Sequence, residues 1–73
     1  MSTTANKPGT KERAIQRIEQ IFAAKSERDA DHYESDAMGY LAALRDERLL
    51  SELDYSQLIA TLHSTRLLWR KPA

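Results

Sequence analysis

The side chains best suited to chemistry in this chain are Asp29, His32 and Asp36. They fall at i, i+3 and i+7, on one face if the segment is helical, and Glu34 stands close by. An imidazole among carboxylates is a donor set for a divalent cation. The spacing matches no specific zinc or two-metal pattern, and the segment is strongly hydrophilic. The expectation is a solvated acidic face that holds no metal and no cofactor. His63 and Ser64 are the other reactive pair. Neighbours on a helix point in different directions, whereas a nucleophile and its base must meet within hydrogen-bond reach. There is no glycine-rich phosphate loop and no nucleophile elbow. A thin core also leaves little room for a buried pocket that shifts a pKa. The chain therefore reads as a non-enzyme.

Nucleic-acid recognition is the alternative chemistry. Two helices joined by a short turn have the outline of a helix-turn-helix, and the last helix offers Gln57, His63, Arg66 and Arg70 to bases or phosphates. Against it, the start of that helix carries Glu52 and Asp54, and the formal charge of the whole chain is zero. A neutral chain lacks most of the electrostatic term that drives non-specific binding to phosphate. The charge is also unevenly spread. Residues 1–26 carry an excess of three positive charges, residues 27–54 an excess of six negative, and residues 55–73 an excess of three positive. Basic ends flanking an acidic middle will meet when helices fold back or pair. Read functionally, the exposed acids Glu27, Asp31, Glu34 and Asp36 are a surface for a protein partner.

Helices must position these groups. Ala, Leu, Glu, Arg, Lys and Gln dominate, and the chain has only two glycines and two prolines. The class is all-α. Residues 1–9 read as a disordered polar tail and residues 10–73 as one helical domain. Thr10 is placed to cap a helix whose apolar face is Ala14, Ile15, Ile18, Ile21 and Phe22. Through residues 25–32 the apolar stripe is interrupted without a glycine or proline. Ser26 to Asp29 can form a capping box that opens a second helix. The favoured expectation is nevertheless one continuous or kinked helix over about residues 11–47, since no residue forces a stop. Gly39, among Ala37, Ala42 and Ala43, reads as a site of close helix approach. The clearest local signal is Ser51 as N-cap, with Asp54 three residues on and Leu50 and Tyr55 as a hydrophobic staple. The final helix then spans about residues 52–70, antiparallel to the first.

That last helix has two stripes. Tyr55, Leu58, Ile59, Leu62 and Trp69 form the main one, and Leu53, Ala60 and Leu67 lie nearly opposite. A hairpin supplies only one neighbour, so the second stripe predicts a homodimer that closes a helical bundle. Chains near this size bury only roughly 60% of their unfolded surface, and no cysteine is present to staple them. Oligomerisation is the remaining support. The residues expected to carry it are Ile18, Phe22, Tyr40, Leu53, Leu67 and Trp69. With no cysteine, no apolar leader and no stretch of roughly 20 apolar residues, the expected setting is the cytoplasm, away from membrane.

The run Gly39, Tyr40, Leu41, Ala42, Ala43, Leu44, followed by Leu49, Leu50, Ser51, Glu52 and then Asp54, Tyr55, resembles a phrase of small all-helical accessory proteins of bacteriophages and mobile elements. It covers less than a third of the chain. The resemblance implies a helical protein that binds and inhibits or redirects a host protein, as host-takeover and anti-CRISPR proteins do. That group shares no site motif, so no functional residue follows from it. The combined expectation is a non-catalytic interaction module that regulates or inhibits a protein partner. The alternative is a small dimeric DNA-binding regulator.

Overall fold

The computed structural model describes residues 9–72, and the expected tail, apart from Gly9, lies outside them. The described residues hold α1 (Thr10–Glu19), a 3-10 turn (Gln20–Ala23), α2 (Glu27–Asp46) and α3 (Glu52–Leu68), with no strand among them. The protein is all-α.

α1 starts differently from the sequence expectation. Gly9 is its N-cap, with φ at 90°, and the Gly9 carbonyl accepts from the Arg13 amide at 2.9 Å. Positive φ is a conformation glycine reaches without steric cost. Thr10 is the first helical residue and caps nothing. Its side chain is buried, and its hydroxyl has no hydrogen-bond partner among the described residues.

The favoured reading of a continuous or merely kinked helix across residues 25–32 is corrected. The chain tightens into the 3-10 turn and leaves the helix at Ala24, whose ψ is 143°. It re-enters after Ser26, at φ −151° and ψ 165°. The Ser26 hydroxyl accepts from the Asp29 amide at 3.1 Å, which satisfies one donor at the new helix start. A capping side chain is thus enough to stop a helix with no glycine or proline present. The break frees the Ala24 carbonyl, and the Trp69 indole N–H donates to it at 3.1 Å.

α2 ends in a Schellman motif. The Leu49 amide donates to the Leu44 carbonyl at 2.8 Å and the Arg48 amide to Arg45 at 2.9 Å. Arg48 holds the left-handed position, with φ at 62°, where glycine is usual. Then Ser51 caps α3, accepting from the Asp54 amide at 3.0 Å, with Leu50 buried before it. α3 ends at Leu68, short of residue 70, because Trp69 turns to extended backbone and enters the core.

Because of the break, the hairpin of α2 and α3 gains a third member. Arg66 near the end of α3 meets Glu27 and Asp31 at the start of α2, while Arg45 lies over Tyr55 at the other end, so these helices are antiparallel. Lys11 meets Asp54 and Ala24 meets Trp69, so α1 runs parallel to α3. The result is an up-down-up arrangement. Ala14, Ile18, Ile21, Ala24, Ala30, Ala37, Leu41, Leu50, Leu58, Leu62 and Trp69 make one core. Its four alanines let the helix backbones approach closely. Gly39 takes no part in this. A Cβ built there meets nothing within 4 Å, so its expected role in close packing is corrected.

Two substitutions that touch no core contact are expected to stabilise the fold. Gly39→Ala removes a helix-interior glycine, which costs about 0.5–1 kcal/mol relative to alanine. Arg48→Gly relieves left-handed strain, for a net gain of a few tenths to about 1 kcal/mol once the added freedom of the unfolded chain is counted. Urea titration followed by circular dichroism should show both midpoints rise; a fall at either position contradicts the local geometry described. Trp69→Phe, which strands the Ala24 carbonyl, should lower stability by about 1–3 kcal/mol in the same assay.

Candidate interaction surfaces

The charged residues singled out in the sequence come together along the α2–α3 seam and the α1–α2 seam. Arg66 Nη2 donates to Glu27 Oε1 at 2.8 Å and to Asp31 Oδ1 at 2.7 Å, and Arg66 Nε donates to the same Asp31 oxygen at 3.1 Å. Hydrogen bonds to Glu27 and then to Asp31 raise the Arg66 pKa above its ordinary value. The guanidinium also lies 5.5 Å from the centre of the Trp69 ring. One turn along, His63 Nδ1 lies 3.4 Å from Glu34 Oε2. Across the other seam, Arg17 donates to Asp36 at 2.9 Å and stacks over Tyr40 at 4.4 Å.

Each of the four acids expected to meet a protein partner therefore faces a basic group of the same chain. The uneven charge distribution is met within the fold, by the basic ends folding onto the acidic middle. Glu27 and Asp31 keep most of their surface in solvent, but they are no longer an unpaired acidic patch.

The residues offered for nucleic acid fare similarly. Gln57 is exposed. Arg66 is held by two carboxylates, and Arg70 donates to the Leu67 and Trp69 carbonyls at 2.9 Å, closing the end of α3. Arg66 and Arg70 are thus engaged within their own chain, which lessens their availability to phosphate. Asp29, His32 and Asp36 are likewise not gathered: among the described residues no three His, Asp or Glu side chains come together as a metal-binding group. No helix there is long and apolar enough to cross a membrane.

Of the six residues expected to self-associate, Ile18 and Trp69 are corrected. Both are buried in the protein's own core. Tyr40 is half-buried against that core and covered by Arg17. Phe22, Leu53 and Leu67 are exposed, at 53%, 67% and 77%. Sequence reasoning missed two more that join them: Leu68 is 66% exposed, and Ile15, expected inside, is 38% exposed. Ile15 and Phe22 stand seven apart on the flank of α1 nearer α3, as the Lys11 contact to Asp54 fixes its phase. Leu53, Ala60 and Leu67 stand seven apart on the outer side of α3, opposite Leu58, Leu62 and Trp69. Leu68 lies between these stripes by helical phase. Among the described residues six large apolar side chains are exposed; helical phase sets five of them on the outer sides of α1 and α3, and Met38 on α2 is the sixth. The signal available in the sequence was the i, i+7 repeat, read on α3 but absorbed into the core on α1.

No protein-family model, no curated protein and no solved structure matches this chain.

Arg66→Gln should lower the thermal midpoint in low salt, because two carboxylates then face each other without a cation. The deficit should shrink in 1 M salt, where charges are screened beyond about 3 Å. Melting curves at the two ionic strengths check this. Submicromolar, salt-sensitive binding of duplex DNA by the unaltered protein, lost in Arg66→Gln, would revive the nucleic-acid reading.

Proposed function

We propose that this protein is a non-catalytic helical interaction module that binds and regulates or inhibits a protein partner, using the outer α1–α3 face as its contact surface. The observation that carries the reading is the exposure of Ile15, Phe22, Leu53, Leu67 and Leu68, which helical phase sets on the outer sides of α1 and α3. Single exposed apolar residues are ordinary on a protein surface, whereas a contiguous set rimmed by polar residues marks a contact site. Gln57, Thr61 and Ser64 supply that polar setting on α3. The paired charges of the α2–α3 seam belong, in this reading, to the fold. The resemblance to phage and mobile-element accessory proteins supports a host protein as the target and inhibition or redirection as the outcome.

The test is capture from a lysate of the source cell. Immobilised protein should retain a partner in stoichiometric amount, and a Phe22→Ser, Leu67→Ser variant should lose it while keeping its helical signal and melt. A variant with Glu34→Gln and Asp36→Asn should retain it. Loss only in the second variant would transfer the function to the acidic seam.

A further inference from the structure

We infer that a second copy of this chain covers the α3 half of the apolar face, in an antiparallel two-fold contact centred on Ala60. The inference rests on the reading of the outer α1–α3 face as an interaction surface and names one occupant of it.

The stripe is self-complementary in register. Leu53 and Leu67 each stand seven residues from Ala60, one on either side. A two-fold axis at Ala60 therefore sets Leu53 of one copy against Leu67 of the other, twice, with the small alanine pair at the crossing. A two-fold interface requires such matching, because the same patch must serve both partners. Helices cross at about 8–10 Å according to the side chains at the contact, and alanine permits the short end of that range.

The charges follow the same symmetry. Glu52 opens α3 and makes no salt bridge among the described residues. Lys71 stands just beyond its last turn, is exposed, and makes no salt bridge among the described residues. In the antiparallel arrangement the acidic start of one α3 lies beside the basic end of the other; a parallel arrangement would set Glu52 beside Glu52. The helix dipoles are also opposed only in the antiparallel arrangement.

Sedimentation across a dilution series should show a monomer–dimer equilibrium, and Ala60→Arg should weaken it about a hundredfold or more by placing like charges at the axis. Site-specific oxidation decides the geometry without depending on that variant, since the chain has no cysteine of its own. Ala60→Cys should give a covalent dimer on oxidation. Leu53→Cys and Leu67→Cys should each give no covalent dimer alone, because like positions lie roughly 21 Å apart along the axis. Mixed, these two should give the 53–67 crosslinked dimer. A monomer at every concentration overturns the inference, as does a Leu53→Cys chain that crosslinks to itself as readily as Ala60→Cys. A monomer that still captures a lysate partner through Phe22 and Leu67 overturns the dimer alone. A dimer that captures nothing upholds it and removes the separate protein target.

Discussion

The bond from the Trp69 indole to the Ala24 carbonyl is the point on which this fold turns. A helix that stops in mid-chain leaves carbonyls without partners, and a buried one carries a penalty comparable to a lost hydrogen bond. Here the chain stops at Ala24, restarts at Ser26, and the freed, buried carbonyl is met by a side chain 45 residues away. That contact joins the end of α3 to the junction between α1 and α2, so all three helices are fixed at one place. It also stops α3, since Trp69 reaches Ala24 only from an extended backbone. The small residues Ala14, Ala30 and Ala37 then allow the helices to close around Ile18, Leu41 and Leu62.

Around this core the surface is divided by chemistry. Arginines serve the inter-helix seams: Arg17 lies over Tyr40, Arg45 over Tyr55, and each stem covers apolar surface while its head stays near water. Arg66 adds two carboxylates to the same arrangement. Individual exposed ion pairs contribute little, but these are concentrated where α2 must be held against its neighbours. The outer side of α1 and α3 carries no such arginine and keeps its leucines uncovered. One side of the molecule satisfies itself, and the other does not.

Much of this was legible locally. The Ser51 cap, the Leu50 and Tyr55 positions and the antiparallel turn were all signalled by residue type and spacing. So was the stripe of Leu53, Ala60 and Leu67, because its phase is opposite to the main face. What could not be read was which faces would be covered. Ile15, Ile18, Ile21 and Phe22 have similar apolar character, and periodicity gives their phase but not the placement of two neighbours. Once Ser26 wins over helix continuation, α1 packs Ile18 and Ile21 inward and leaves Phe22 out. The choice at Ser26 is a competition between one capping bond and continued helix, too close in energy for composition to settle. The pairing of Arg66 with Glu27 was anticipated only as a charge imbalance, since residues 39 apart meet solely because the chain turns where it does.

The same junction joins a short-range contact of the chain to a long-range one. The α2–α3 hairpin closes across the short segment between Asp46 and Glu52, held by the Schellman motif and the Ser51 cap. Trp69 and Ala24 must instead close a loop of 45 residues. Closure entropy rises with the logarithm of loop length, so joining Trp69 to Ala24 in an open chain costs about 2 kcal/mol more than closing the α2–α3 turn. A formed hairpin removes most of that difference, because Arg66 and Trp69 then already stand beside Glu27 and Asp31 at the start of α2. The long-range bond is thus prepared by the short-range turn, and loosening the hairpin would also separate the indole from the carbonyl it serves.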